Sequence, residues 1–270
     1  MNEANNNENH EHKIKNYWEK RLTDNYGLHG TGYIGLGKKY NSWMYRVRKY
    51  IVLKKLKRFR SFFNESEVLD IGSGSGFYID IWKQLGVKNI MGCDITNVSV
   101  RNLKNKYPNG EFIELDISSN VIPISRKFDF ISAFDVLFHI VDDDKYEQTI
   151  SNIYELLKPG GILIFSENFI HDVSHYNKFQ STRSLDEIQL LFEKSGFQIL
   201  ERAAMFYFMN APIDSKGIMI NKFWKLIRRI VYKGETYGSI VGGLLYPVEI
   251  LMISTRSESP STELMICKKP

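Results

Sequence analysis

Val68-Leu69-Asp70-Ile71-Gly72-Ser73-Gly74-Ser75-Gly76 sets an apolar strand directly before a glycine-rich turn, and the fold follows from this arrangement. Glycine has no Cβ, so Gly72, Gly74 and Gly76 can take positive φ and let the main chain touch a ligand. Phe77 to Leu85 then reads as a helix whose first N–H groups face that ligand. Two nucleotide loops are disfavoured. A dinucleotide loop needs a third glycine where Phe77 stands, and a phosphate-cradling loop needs a Gly-Lys-Ser/Thr ending that does not follow.

Further strands carry acids at their ends. Asn89-Ile90-Met91-Gly92-Cys93-Asp94 and Glu111-Phe112-Ile113-Glu114-Leu115-Asp116 each close on a carboxylate. Phe128 to Phe134 supplies a fourth strand, and Leu157-Lys158-Pro159-Gly160-Gly161 a turn before a fifth at 161–166. Strand and helix alternate, as a parallel sheet requires, and ligands bind at the carboxyl ends of such strands. An Asp at a strand end also serves as a helix cap or turn former, and this reading stands beside a ligand role for each acid.

An acid before a G-x-G-x-G turn, acids ending the next two strands, and Leu-Lys-Pro-Gly-Gly before the fifth resemble the class I S-adenosylmethionine-dependent methyltransferases over roughly residues 60 to 170. The resemblance implies an α/β fold: a Rossmann-like, doubly wound, mostly parallel seven-stranded sheet with an antiparallel last strand. It implies S-adenosylmethionine as cofactor, held by Asp70, Gly72, Gly74, Gly76, Asp94, Ile95, Asp116, Ile117 and Phe134, with Asp94 on the ribose and Asp116 and Ile117 on the adenine.

One domain is expected over 1–270, since 270 residues with 43% hydrophobic content can bury one core. Its parts are a disordered polar tail at 1–12, an N-terminal helical lid at 13–60, the core at 61–201, a helical insertion or substrate cap at 202–260, and the last strand at 261–270. A short amphipathic helix is expected at Asn16 to Arg21 and a longer one at Tyr40 to Phe59, joined by the segment 26–37, too glycine-rich for a stable helix. That segment reads as part of the lid or as a plain connector. The first twelve residues lack the apolar core of a secretory signal, and a cytoplasmic location is expected. Cys93 and Cys267 suggest neither a disulfide framework nor a zinc site, and no metal is expected. The net charge of +5 is scattered, and no nucleic-acid-binding module is present.

The insertion holds Phe206-Tyr207-Phe208, the basic amphipathic stretch Asn221 to Ile230, and the apolar run Ile240 to Ile253, read as a buried helix. Gly242, Gly243, Pro247 and Glu249 interrupt that run, making it a poor bilayer span. Trp224, Arg228 and Arg229 give the insertion a second reading, an interfacial anchor for peripheral membrane contact.

His139, just past the fourth strand, is the candidate catalytic base, oriented by Asp135 or Asp142; its other reading is a structural hydrogen bond at the pocket floor. His171, His175 and Glu167 are second choices, and Asp142, Asp143 and Asp144 are read as helix caps. Substrate contacts are expected from His29 and Tyr33 in the lid, from His171, and from Phe206 and Tyr207. The expected activity is methyl transfer to a small-molecule acceptor, most simply at oxygen, in biosynthesis of a secondary metabolite, sugar or glycan precursor. The alternatives are a peptide or lipid-linked substrate docked on the insertion, and a cofactor-binding partner subunit without turnover.

Overall fold

The computed structural model describes residues 2–176 and 179–270, with side chains from residue 13 onward. A seven-stranded sheet forms its centre. Strands β1 (Glu67–Ile71), β2 (Asn89–Asp94), β3 (Glu111–Glu114), β4 (Phe128–Ala133) and β5 (Leu157–Glu167) are mutually parallel. A short hairpin, β6 (His175–Tyr176) and β7 (Ser181–Thr182), stands apart from it. The sheet is completed by β8 (Gln198–Ala204) and β9 (Glu263–Lys268), in the order β3-β2-β1-β4-β5-β9-β8 with β9 antiparallel to both neighbours. The order reverses between β1 and β4, so their carboxyl ends border the crevice where such sheets hold ligands.

Alternating strand residues serve two cores. Val68, Phe130, Ile162, Ile164, Leu264 and Ile266 bury against one helical layer, while Leu69, Ile71, Ile131, Leu163, Phe165 and Met265 bury against the other. Burial on both faces explains why the strands read as continuous apolar runs. The first layer contains α3 (Gly37–Leu56), α4 (Phe77–Gln84), α8 (Ile218–Val231) and α9 (Glu235–Thr255); the second contains α6 (Asp143–Leu156) and α7 (Leu185–Lys194). Helix α5 (Asn97–Lys106) covers the β2–β3 edge through Leu103 and Val100.

Four local expectations change. The N-terminal helix α1 spans Asn2–Asp24, running through the segment read as a polar tail; Met1 lies outside the described residues. The glycine-rich stretch contains one helical turn, α2 (Leu28–Thr31), and a 3-10 turn at Ile34–Leu36. Tertiary hydrogen bonds hold it: Arg21 donates from Nε to the Gly30 carbonyl at 2.8 Å, and Asn41 accepts from Tyr33 N at 2.9 Å and donates to Tyr33 O at 2.7 Å. Strand β5 starts at Leu157; Phe128 pairs with Leu157 and Phe130 with Ile162, so Lys158-Pro159-Gly160-Gly161 is a bulge inside the strand. Helix α9 is only partly buried, because Gly238, Gly242, Glu249 and Ile253 take its inner seam against α3 and leave the opposite face outward.

Candidate active site

The glycine turn works by close approach. Gly72 has φ +68°, and a Cβ there would lie 2.2 Å from Val136 Cγ2. Gly74 has φ +50°, and its N–H donates to Asp94 Oδ2 at 2.8 Å, which ties the loop to the end of β2. Asp94 Oδ1 accepts from Thr96 N at 2.9 Å and from Thr96 Oγ1 at 2.6 Å. Asp94 is therefore both turn former and cavity wall, and Oδ2, with two lone-pair directions, keeps one for a ligand hydroxyl. Burial raises its pKa, opposed by these hydrogen bonds.

A cavity of about 370 Å³ lies over these strand ends, within the usual size for a small-molecule site. Gly72, Gly74, Asp94, Ile95, Asp116, Ile117, Phe134 and His139 line it. Asp116 Oδ1 accepts from Ser118 N at 2.9 Å and from Ser118 Oγ at 2.7 Å, holding the β3 end in an Asx turn. Phe134 stacks on Tyr78 at 4.1 Å between ring centroids.

Asp70 and Gly76 stand behind that wall. Asp70 Oδ1 accepts from Ser132 Oγ at 2.6 Å, Oδ2 has no partner, and burial pushes the carboxyl up to about 7. Gly76 opens α4 at φ +80°, and a Cβ there would meet Leu103 and Tyr107 at 2.9 Å, so it serves helix packing.

His139 ends the 3-10 turn Leu137–His139. Its Nδ1 lies 2.9 Å from the Phe179 carbonyl oxygen, and a carbonyl only accepts, so Nδ1 carries the proton and Nε2 the lone pair. Asp135, one of the two carboxylates expected to orient the ring, bonds Arg48 and Ser166 instead. It sits at φ +57°, donates its N–H to Ser166 Oγ at 2.7 Å, and accepts from Arg48 Nε at 2.9 Å. Asp142 caps α6, accepting from Lys145 N at 3.0 Å. Burial pulls the His139 pKa down to about 4, so the ring is neutral at pH 7.

The expected substrate contacts stand off the wall. Tyr33 is exposed beside Tyr232, and His29 Nδ1 is buried without a partner. His171 pairs with Asp214 at 2.6 Å on the surface. Phe206 lies in the core with the Arg48 guanidinium 4.7 Å from its ring centroid, and Tyr207 packs, partly buried, against the same core. Among the described residues no group of three or more His, Cys, Asp or Glu could hold a metal ion; Asp143 instead pairs with Arg183 at 2.8 Å.

The lid's contribution comes from other residues. Ile14, Trp18 and Leu22 of α1 line the cavity, with Thr31 and Tyr45 beside them. Trp18 meets His139 edge-on at 4.9 Å, and Tyr17 stacks on Phe179 at 4.8 Å. Glu19 accepts from Asn97 N at 2.8 Å and Val98 N at 3.0 Å, capping α5 and fastening the lid across the cavity; Tyr26 donates its hydroxyl to Gly74 O at 3.1 Å. The i, i+4, i+8 spacing of Ile14, Trp18 and Leu22 was the sequence signal for this wall.

Residues 69–165 match the family described as "Methyltransferase domain". That stretch is a methyltransferase domain, of the class I S-adenosylmethionine-dependent kind that the sequence resembles. It is 27% identical over 139 residues to the mRNA cap guanine-N(7) methyltransferase of Schizosaccharomyces pombe, covering 47% of this chain and 37% of that one. It is 31% identical over 107 residues to the ubiquinone/menaquinone biosynthesis C-methyltransferase UbiE of Campylobacter jejuni, covering 37% and 44%. The chain thus matches less than half the length of these two relatives. The fold is similar to magnesium protoporphyrin IX methyltransferase from Synechocystis PCC 6803, with a TM-score of 0.58, 15% identity and 97% of each chain covered.

S-adenosylmethionine fits this methyltransferase's cavity on the residues' own chemistry. The φ-positive Gly72 and Gly74 leave room for close main-chain approach, Asp94 suits a vicinal diol, and the apolar Ile95 and Ile117 suit a purine beside Asp116.

Proposed function

We propose that the chain methylates an oxygen of a small, largely apolar acceptor using S-adenosylmethionine. The observation that carries this reading is the continuity of one cavity from the Gly72–Gly74 turn and Asp94 to His139, under the Trp18 lid. The bound cofactor supplies a sulfonium-activated methyl group.

Asp94 and Asp116 would hold the adenosine half, and Phe134 and the Gly72 main chain would flank the other half. His139 presents an unprotonated Nε2, which accepts a hydrogen bond from a hydroxyl and so directs an oxygen lone pair into the cavity. The same Nε2 takes the hydroxyl proton. With a pKa near 4 it is a weak base, so its main contribution is orientation, with proton acceptance late in the reaction. Trp18, Leu22 and Ile14 exclude water from the acceptor side.

A cavity of about 370 Å³ partly covered by α1 supports a small acceptor over a macromolecular one. The named relatives act on a guanine nitrogen or at carbon, so the choice of oxygen rests on the neutral imidazole acceptor. The test is transfer of labelled methyl into a host extract separated into small metabolites, lipids and macromolecules. Label in small metabolites, carried by an alkali-stable ether or an alkali-labile ester, supports the proposal. Label confined to protein or nucleic acid overturns the small acceptor, and a carbon- or nitrogen-linked methyl overturns the oxygen.

A further inference from the structure

We propose that the α8–α9 hairpin seats the protein on the surface of an anionic lipid bilayer. The two helices are consecutive, pack on each other, and together leave a large apolar surface in solvent.

Helix α8 has three stripes. Trp224, Ile227 and Val231 are buried in the core. Met219, Phe223 and Leu226, spaced i, i+4, i+7, form an exposed apolar stripe; Met219 is 86% accessible. Lys222, Lys225 and Arg229, spaced i, i+3, i+7, form an exposed basic stripe next to it, and the helix contains no acidic residue. An apolar stripe bordered by Lys and Arg is the pattern of a helix lying in a headgroup layer.

Helix α9 extends that surface. Ile240, Leu244, Val248 and Leu251 recur along one outward face at 55%, 71%, 45% and 63% exposure. From Thr236 to Thr255 its one charged residue is Glu249, which is buried. Of the two acids of α9, Glu249 is buried, and Glu235, exposed at the first residue of the helix, is held by main-chain N–H groups of α3. Glu249 accepts from Tyr207 N at 2.6 Å and Phe208 N at 2.8 Å, and Glu235 accepts from Lys38 N at 2.8 Å and Lys39 N at 2.6 Å.

These bonds also decide orientation. Helix α9 is 21 residues long and apolar enough to cross a membrane by composition. It is tied to α3 at Glu235 and by Tyr50 Oη to Ser254 Oγ at 2.9 Å, and to the end of β8 through Glu249. Spanning would break all three ties and strand the Glu249 carboxylate in hydrocarbon, so the helix lies along the surface. Lipid is favoured over a second copy by charge: a self-complementary contact would bring like-charged Lys222, Lys225 and Arg229 stripes toward each other, whereas anionic headgroups neutralise them.

Co-sedimentation of the full chain tests this with vesicles of phosphatidylcholine alone and of equal parts phosphatidylcholine and phosphatidylserine. The wild type should partition to the anionic vesicles about a hundredfold better than to neutral ones. Lys222→Glu with Lys225→Glu and Arg229→Glu should remove that preference. Ile240→Glu with Leu244→Glu should abolish binding to both, while circular dichroism and cofactor calorimetry stay unchanged, since all five side chains point to solvent. Wild type remaining in the supernatant, or equal binding to both vesicles, overturns the proposal. So does a concentration-dependent dimer in ultracentrifugation that Leu244→Glu abolishes while vesicles are ignored.

Discussion

His139 Nδ1 and the Phe179 carbonyl oxygen are 2.9 Å apart, and this bond fixes the imidazole tautomer with its lone pair on Nε2. His139→Ala should lower turnover about a hundredfold with cofactor affinity retained, a loss in the usual range for a positioned acid or base. His139→Asn keeps a donor for Phe179 but lacks Nε2. If the ring merely tethers Phe179, single-turnover kinetics would show Asn near wild type and only Ala impaired.

The same ring sets a pH dependence. Its folded pKa is depressed from 6.5 to about 4, so between those values the unfolded chain binds more protons than the folded one. Stability from this group is complete above about pH 6.5 and declines as pH falls toward 4. Thermal melts should show His139→Phe losing part of the wild-type decline over that window, and turnover should be free of a histidine limb near pH 6.5. A limb at 6.5 that His139→Asn removes would contradict the neutral ring.

Asp94 joins the glycine turn to the cofactor cavity, and its Oδ2 holds Gly74 N. Asp94→Ala removes hydrogen bonds to a charged acceptor, worth about 1.5–3 kcal/mol each. Calorimetry should find S-adenosylmethionine binding weakened by at least about tenfold, and unchanged affinity would remove Asp94 from the site.

Gly72 and Val136 can be separated by a double-mutant cycle. Gly72→Ala suffers both the left-handed φ, about 1–2 kcal/mol, and the 2.2 Å approach to Val136 Cγ2, for which overpacking costs about 1–3 kcal/mol. Adding Val136→Ala should recover the second part and leave the first. Additive losses in denaturant melts would show that the valine can move aside.

Trp18 reports lid and cavity together, because its ring meets His139 and lines the pocket. Adding S-adenosylmethionine should change tryptophan fluorescence, and Trp18→Phe should remove most of that change. If the signal persists, the buried Trp82 or another tryptophan carries it and α1 does not close on the ligand.

Much of the core is legible in the sequence because the strands are buried on both faces and the first three run into Gly or Asp, so Asp70, Asp94 and Asp116 mark one sheet edge. Lid and insertion were harder. Arg21, Asn41 and Glu19 shape the lid through hydrogen bonds to backbone groups between eight and seventy-nine residues away, a relation periodicity does not encode. His29 and Tyr33 were drawn toward the site by aromatic and glycine content alone, yet Thr31 is the residue of that loop that reaches the cavity. The apolar α9 looked like core because composition does not tell a buried face from one left in solvent.

Glu249 shows what holds that helix down. Its carboxylate accepts from Tyr207 N and Phe208 N inside an otherwise apolar seam, and burial raises its pKa against those bonds. An acid with a raised folded pKa contributes stability that is fully present at low pH and lost as pH climbs from 4.5 through the folded value. Glu249→Gln should therefore flatten that slope in pH-dependent melts. Glu249→Leu leaves two buried N–H groups unpaired, at about 1–3 kcal/mol each. It should destabilise by several kcal/mol at every pH, with α9 amides losing hydrogen-exchange protection first. Unaltered α9 protection in Glu249→Leu would mean that apolar packing on α3 suffices and the carboxylate is dispensable.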